Sequence, residues 1–288
     1  MKAELEAATG LRFRGAPRQL AVGGGFATGE RWESGSGPVF VKVADRQRLP
    51  LLEAEAAGLR ELAGAGALRV PDVLAVGVAG AQAFLALQWI EFSTATSRTE
   101  ARLGELLAAQ HRVTAPRFGW HRDNTIGATP QSNAWADDWT RFFAERRLGF
   151  QLDLAARQGH SGRVIERGRR LCEQIDVLLR GHRPVPSLLH GDLWGGNWAA
   201  DESGHPVVFD PAVYFGDREA DLAMTRLFGG FGRAFYDAYE SAWPLEAGAN
   251  RRFDLYNLYH VLNHLNLFGG GYRGQAEAMI ERLLAAVR

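Results

Sequence analysis

Two aspartates, each at or just past the end of a short apolar run, constrain this chain more than any other feature. Asp192 opens a D-x-x-x-x-N sequence that closes at Asn197, and Asp210 follows the second run. The runs, 185–189 and 206–209, are typical of short buried strands. In phosphoryl transfer from ATP, one carboxylate accepts the proton of the attacking hydroxyl, while an Asn and a second Asp hold Mg²⁺. We therefore predict Asp192 as the catalytic base, Asn197 and Asp210 as metal ligands, and ATP and Mg²⁺ as cofactors.

A solvated turn is the alternative for the first motif, because Gly, Asp and Asn are all common in loops. The two strand patterns favour the catalytic interpretation, since a turn alone does not require them. Gly191 precedes Asp192, where protein kinases carry Arg. The pattern therefore favours a kinase of small molecules over one regulated through an activation loop.

The composition excludes several classes of protein. The chain of 288 residues is 46% hydrophobic, enough for one large core or two lobes, and no apolar run reaches the roughly 18 residues of a membrane span. The 33 basic and 33 acidic side chains cancel, so we expect neither nucleic acid nor a membrane as partner. The charged N-terminus is unlike a secretory signal, and a single cysteine, Cys172, excludes an internal disulfide. We expect a cytoplasmic protein.

Lys42 is a conspicuous basic residue, because the others are Arg apart from Lys2, which lies in a terminus that we expect to fray. Lys42 sits in a strand pattern, and its compact ammonium can reach two phosphates and a carboxylate at once. Glu55, on the helix predicted after it, is the expected partner, with Glu53 as the competing choice. An exposed lysine on an edge strand is the alternative.

The order of the predicted elements gives the fold class. Residues 1–91 have the pattern of short antiparallel strands with one helix, and residues 92–288 are mainly helical. This is the α+β, bilobal, protein-kinase-like plan, with an N-terminal ATP-binding lobe and a C-terminal lobe that holds the catalytic loop and the substrate site. A capping box is predicted at Ser97. The expected helices are about 51–63, 97–113, 135–158, 162–180, 219–228, 232–241, 250–268 and 274–287.

ATP is expected to lie in the cleft between the two lobes. A glycine triplet between the first two predicted strands, upstream of Lys42, favours a phosphate-covering loop over an ordinary turn. The connection between the lobes is the predicted hinge, whose backbone groups would bind adenine, although Trp89 alternatively packs between the lobes. The residues of these two ATP-binding elements are Gly23, Gly24 and Gly25 for the loop, and Gln88, Trp89 and Ile90 for the hinge.

Two longer sequences surround the predicted catalytic residues: HGDLWGGNW at 190–198 and FDPAVYFGDREADLAM at 209–224. Both resemble the fructosamine/ketosamine-3-kinase family, which belongs with the aminoglycoside phosphotransferases and choline kinases in the kinase-like fold. Those two other groups share HGD and D-x-x-x-x-N but lack the Trp after Asp-Leu and the GDRE run. The resemblance extends from about Gly23 to the C-terminus. Further similar segments are 119–120, 124–127, 129–131, 147–148, 151–152, 227–231 and 258–270.

The resemblance implies ATP-dependent phosphorylation of the 3-hydroxyl of a ketoamine, the adduct of a sugar with an amine, as a small molecule or on a protein lysine. The phosphorylated adduct decomposes and frees the amine, so the family is regarded as repairing glycated molecules. Residues 26–28 are Phe-Ala-Thr where many relatives carry a cysteine, so redox control through that loop is not expected. We expect a monomer or a weak dimer.

A ketoamine offers a polyol and a secondary ammonium, which call for hydrogen-bonding groups, an aromatic face and a carboxylate. We predict Trp194, beside the catalytic loop, Asp217 and His264 as substrate contacts. His260, one turn before His264, is interpreted more readily as a buried structural imidazole. Structural roles are expected for His190, Arg218, Glu219 and Asp221.

Two other functions stay open. A kinase of another small hydroxyl substrate, such as an aminoglycoside or an aminosugar, would have the same fold. Its site would need carboxylates late in the helical lobe, and the segment 257–272 has none. A catalytically inactive nucleotide-binding module is the second. The intact set Lys42, Asp192, Asn197 and Asp210 argues against it.

Overall fold

The computed structural model describes residues 1–20 and 27–287. The predicted phosphate-covering glycines, Gly23, Gly24 and Gly25, lie outside the described residues. The fold class is α+β, as predicted, with an antiparallel sheet and flanking helices followed by a mainly helical region.

A five-stranded antiparallel sheet forms the N-terminal region. In spatial order its strands are β1 (Phe13–Leu20), β2 (Thr28–Ser34), β3 (Gly37–Asp45), β5 (Gln82–Gln88) and β4 (Val73–Ala79). Side chains alternate between the faces of a strand, so Val41 and Val43 of β3 enter one core while Lys42 projects to the opposite face. Helix α1 (Lys2–Thr9) covers the first face, and helix α2 (Leu49–Ala65) covers the face of Lys42.

The ordered helix α1 corrects the expectation of a frayed N-terminus. Leu5 is fully buried in the same cluster as Phe13 and Trp32, and Gly10 ends the helix in the left-handed conformation, with φ 72°. One buried leucine in an otherwise polar helix gives almost no periodic signal. Because a helix this short is marginal alone, its packing on the sheet stabilises it.

Helices make up most of the remaining chain. Helix α3 (Ser97–His111) is capped by Thr96 rather than Ser97, because Thr96 Oγ1 accepts the backbone N–H of Thr99 at 3.3 Å. The helix predicted at 135–158 begins later and contains a π-helical turn, Ala144–Gly149. The others are α4 (Trp139–Phe143), α5 (Phe150–Arg157), α6 (Arg163–Cys172), α7 (Ile175–Leu178), α8 (Glu219–Leu227), α9 (Arg233–Ala242), α10 (Ala249–Phe268) and α11 (Arg273–Ala286), with 3₁₀ turns at Arg46–Arg48 and Gly270–Tyr272.

Short strands place both predicted catalytic segments. They are β6 (Phe92–Ser93), β7 (Asn124–Ile126), β8 (Thr129–Gln131), β9 (Ser187–Leu189), β10 (Trp198–Asp201), β11 (Pro206–Val208) and β12 (Tyr214–Gly216). The segment 190–197, the catalytic loop, joins β9 to β10, and the segment 209–213, the metal loop, joins β11 to β12. Strand β12 pairs back with β9, and the backbone N–H of Ala212 donates to His190 O at 2.8 Å. The two loops therefore lie side by side.

No helix in the described ranges 1–20 and 27–287 combines the length and the apolar character needed to cross a membrane. The domain boundary near residue 91 stays a prediction. Strand β6, directly after that position, pairs with β10 in the helical region.

Candidate active site

A cavity of about 1020 Å³ lies where the sheet meets the helical region. One wall comes from α2, β3 and the end of β5, and the opposite wall comes from the catalytic loop, the metal loop and α10. The predicted site residues that line it are Lys42, Glu55, Gln88, Trp89, Ile90, Asp192, Trp194, Asn197, Asp210 and His264.

Lys42 joins the two walls of the cavity. Its Nζ lies 2.8 Å from Glu55 Oε1 and 2.6 Å from Asp210 Oδ1, whereas Glu53 is exposed. Burial works to lower the pKa of Lys42, but Glu55 and Asp210 outweigh it and raise that pKa above its ordinary value. The ammonium therefore stays charged next to the predicted metal loop, as a phosphate-binding lysine must.

Asp210 has a strained backbone, and two buried side-chain amides donate hydrogen bonds to the carbonyls that follow it. Its φ is 56°, and it is the one non-glycine residue with positive φ in the described part of the chain. The carbonyls that follow it are fixed, because Gln131 Nε2 donates to Ala212 O at 3.2 Å and Asn124 Nδ2 donates to Val213 O at 2.8 Å. The β7–β8 hairpin, which sequence reasoning left without a role, thus holds the metal loop.

Asp192, the third residue of the catalytic loop, lies beside Asn197, its last residue. Asn197 Nδ2 donates to Asp192 O at 2.8 Å and lies 3.3 Å from Asp192 Oδ2. Burial in the cleft, followed by the nearby charge of Asp210, raises the pKa of Asp192 to about 7. A carboxylate with such a pKa is well matched to accept a proton from a substrate hydroxyl.

The catalytic loop is fixed by Asp221 of α8. The carboxylate of Asp221 accepts the backbone N–H of His190 at 2.7 Å and that of Gly191 at 2.8 Å, while His190 Nε2 lies 3.0 Å from Phe209 O. Gly191 has φ 83°, and a Cβ there would lie 2.0 Å from Ala212 O, so only glycine fits between the two loops. These contacts agree with the structural roles expected for His190 and Asp221.

His111, at the end of α3, is a buried residue of this network that sequence reasoning missed. Its Nε2 lies 3.1 Å from Asp221 Oδ2, and its Nδ1 lies 2.8 Å from the hydroxyl of Tyr239. Burial works to raise the pKa of Asp221, but His111, the nearby His190 and the backbone N–H of Gly191 outweigh it and lower that pKa. No local pattern marks His111, because its partner lies 110 residues further along the chain.

The prediction that Asp217 contacts the substrate is wrong. Asp217 is 1% exposed and does not line the cavity. Its carboxylate accepts a hydrogen bond from the hydroxyl of Tyr256 and lies 2.6 Å from Nε2 of His182. The side chain points into the helical core, where it is fully occupied. The neighbouring Glu219 forms a buried ion pair with Arg252, as expected for a structural network.

Aromatic side chains line the end of the cavity beyond the catalytic loop. Trp194 is 39% exposed and its ring centroid lies 6.4 Å from that of Phe228. The Phe228 ring in turn lies 4.9 Å from His264, whose Nδ1 donates to His260 O at 2.8 Å. Trp194 and His264 are thus placed at one end of the same cavity, and Phe228 is an intervening ring that the sequence did not single out.

The predicted hinge lines the opposite end of the cavity. The backbone N–H of Gln88 is already donated to Asp72 O at 2.8 Å. The Trp89 ring lies under the guanidinium of Arg31, at 4.5 Å, and its Nε1 donates to Glu91 at 2.8 Å. These contacts hold the Trp89 side chain at the edge of the cavity.

Comparison with known proteins places this geometry among sugar-amine kinases. A model of the fructosamine kinase family matches residues 1–286. The chain is 44% identical over 282 residues to a probable ketoamine kinase from Synechocystis sp., covering 98% of this chain and 95% of that protein. It is 39% identical over 272 residues to a chloroplastic protein-ribulosamine 3-kinase from Oryza sativa subsp. indica. That match covers 93% of this chain and 79% of the rice protein. A crystal structure of a putative fructosamine-3-kinase from Haemophilus somnus superposes with a TM-score of 0.89 at 29% identity, covering 98% of this chain and 96% of that one.

Proposed function

The chain belongs to the fructosamine kinase family, and from this premise we propose that it transfers the γ-phosphoryl group of ATP to the 3-hydroxyl of a ketoamine. It is an ATP-dependent phosphotransferase. The observation that carries the proposal is the meeting of Asp192, Asn197, Asp210 and Lys42 at one cavity. The consequence of the reaction would be deglycation, because the phosphorylated adduct decomposes and releases the amine.

ATP would lie with its adenine at the hinge and its phosphates at Lys42. Trp89 and Ile90 line the cavity where adenine would bind, and Gln88 contributes little through its N–H, which Asp72 already occupies. Glu55 orients the Lys42 ammonium toward the phosphates. For the glycine triplet at 23–25, which lies outside the described residues, we keep the role of phosphate binding that its place in the sequence predicts.

The metal ligands suit Mg²⁺. The Nδ2 of Asn197 is used in hydrogen bonds to Asp192, which leaves Oδ1 for a cation, and Asp210 supplies carboxylate oxygens. Oxygen ligands from one or two side chains, together with phosphate oxygens, are what Mg²⁺ prefers. When bound, the ion would neutralise the charge of the transferring phosphoryl group.

Asp192 accepts the proton of the 3-hydroxyl as that oxygen forms its bond to the γ-phosphorus and the bond to ADP breaks. The products are ADP and the ketoamine 3-phosphate. Trp194 and His264 would contact the sugar, since both line the cavity beyond the catalytic loop. The sugar-amine could be a small molecule or a glycated lysine.

An aminoglycoside kinase is the second candidate, and the cavity disfavours it. Polycationic substrates need several carboxylates, and the aromatic wall formed by α10 contributes none within the described residues. We further propose cytoplasmic residence and a monomeric or weakly dimeric state, from the single unpaired cysteine and the balanced charge.

ATP consumption by the purified protein tests the proposal directly. Ribulosyl-lysine, fructosyl-lysine, choline and kanamycin would each be offered with MgATP, with Asp192→Asn as the inactive control. We expect ADP release with a ketoamine, none with kanamycin, and a product whose phosphorus NMR signal locates the phosphate at the 3-position. Turnover confined to kanamycin or choline would overturn the proposed substrate class.

A further inference from the structure

Four rings surround the mouth of the cavity on its substrate side. We call Phe228, His264, Phe268 and Tyr272 the aromatic rim. The His264 ring centroid lies 4.9 Å from Phe228, 5.4 Å from Phe268 and 5.1 Å from Tyr272. All four residues line the cavity.

Two residues of the aromatic rim are too exposed to solvent to be core residues. Phe268 is 68% exposed and Phe228 is 41% exposed. Contiguous exposed apolar surface at a cavity mouth is typical of a binding site, because leaving it in water costs free energy. The rim therefore offers ring faces to a ligand.

The carboxylates of the cavity lie elsewhere. Among the described residues, those on its wall are Glu55, Glu91, Asp192 and Asp210. Glu55 and Asp210 pair with Lys42, Asp192 is the predicted base, and Glu91 accepts from the hinge residue Trp89. Asp217, the carboxylate that the sequence predicted as a substrate contact, is buried in the helical core. The rim itself therefore offers rings and no carboxylate to a protonated amine.

The rim itself carries no competing positive charge. Nδ1 of His264 donates to His260 O, and burial lowers the pKa of His264, so the imidazole is neutral at neutral pH. Arg226 lies over Tyr236 and Phe253, at 4.2 Å and 5.0 Å, but in the described part of the chain no arginine or lysine lies over a ring of the rim. The exposed parts of the Phe228 and Phe268 rings can therefore attract an external cation.

We propose that Phe228, Phe268 and Tyr272 form the subsite for the protonated amine of the ketoamine, which they hold through cation–π contacts. This inference rests on the proposed function for the identity of the substrate, and on the rim geometry for the chemistry. The amine is on C1 of the ketoamine, two carbons from the reacting 3-hydroxyl, so the amine and its substituent would extend from Asp192 toward the rim. Loss of a ring face should weaken cationic ligands selectively.

A binding experiment tests the rim without relying on turnover. Choline and its neutral isostere, in which carbon replaces the nitrogen, have the same shape, so their difference in affinity isolates the charge. We expect choline to bind about tenfold more tightly in a fluorescence or NMR titration of the full chain. Phe268→Leu should remove this preference, since it keeps apolar area without a ring, and Phe268→Trp should retain it. Equal affinities, or a preference that persists in Phe268→Leu, would overturn the proposal.

Kinetics with the substrate supply the second arm. Phe268→Leu should raise the KM of a ketoamine by about tenfold while leaving the KM of its neutral ether analogue, with oxygen in place of nitrogen, nearly unchanged. An equal rise for both would indicate only apolar contact and would contradict the cation–π assignment. If no ketoamine is turned over, the proposed function fails, and the choline titration still decides whether the rim binds cations. A melting curve of each variant excludes unfolding, which we do not expect at so exposed a side chain.

Discussion

Oδ2 of Asp221 accepts the backbone N–H of His190, the first residue of the catalytic loop, at 2.7 Å. The same carboxylate accepts the N–H of Gly191 and is approached by His111 Nε2. A buried carboxylate that accepts several hydrogen bonds fixes the position of the backbone that donates them. Asp221 therefore positions Asp192 without touching substrate.

We expect Asp221→Asn to lower kcat by roughly 10- to 100-fold, the scale for a small misplacement of reacting groups. The amide cannot accept both N–H groups and retain His111, so the loop should shift. The Kd for ATP in the absence of Mg²⁺ should change little, because Lys42 is held by Glu55 and Asp210 rather than by the catalytic loop. Steady-state kinetics and calorimetry on one preparation check this. A kcat equal to wild type would show that Asp221 serves stability alone.

Asp192→Asn should lower turnover by roughly 100-fold or more, the scale for a lost general base. The amide preserves the shape of the side chain but cannot accept a proton. ATP binding should stay close to wild type, since Asp192 lies at the reacting hydroxyl and not at the adenine end. Undiminished turnover would remove Asp192 from the role of base.

Asp210→Ala should abolish magnesium-dependent ATP binding rather than merely slow the chemistry. The change removes the predicted metal carboxylate and one of the two partners of Lys42. Calorimetric titration of ATP with Mg²⁺ and with a chelator measures it, with Glu55→Gln as the control that weakens the same lysine but keeps the metal ligand. MgATP affinity at the wild-type level in Asp210→Ala would contradict the assignment.

Sequence patterns predicted the features that depend on residues close together in the chain, such as strands and the residues that follow them. The period-two patterns predicted the strands of the sheet and the position of Lys42 within one of them, and the two apolar runs placed Asp192 and Asp210 after β9 and β11. The fold class is confirmed on that basis. The phosphate-covering glycines stay a prediction, because they lie outside the described residues.

Tertiary contacts escaped prediction for physical reasons. Spacing places Asp217 after a strand but does not determine that its carboxylate turns inward to Tyr256. His111 meets Asp221 only after α3 packs beside β9, and α1 is stabilised only by docking Leu5 on the sheet. Residues whose roles depend on a distant partner carry no local signal.

His182 makes stability depend on pH. It contacts Asp217 at 2.6 Å and Glu246 at 2.8 Å. Burial works to lower its pKa, but these carboxylates raise it above the ordinary value of 6.5. Because the pKa of His182 is higher in the folded than in the unfolded protein, the imidazolium stabilises the fold fully below pH 6.5. That stabilisation is lost as the pH rises through the pKa of the folded state.

The Tm of the wild type should therefore fall across that range by roughly 2 °C or more relative to His182→Gln, which does not titrate there. Thermal melts of both proteins at matched ionic strength, from below pH 6.5 to above the raised pKa, provide the measurement. Parallel Tm curves for the two proteins would show that His182 does not carry the linkage.

Trp194→Ala should raise the ketoamine KM by about tenfold or more, which corresponds to roughly 1.4 kcal/mol of lost contact, with little change in the KM for ATP. The ring is 39% exposed on the cavity wall and meets Phe228 edge-on, so it can cover a sugar face. The opposing explanation is a packing residue that supports the catalytic loop. In that case Tm would fall and both KM values would rise together. Measuring Tm and both KM values on one preparation separates the two, and a parallel loss of ATP binding would remove Trp194 from the substrate site.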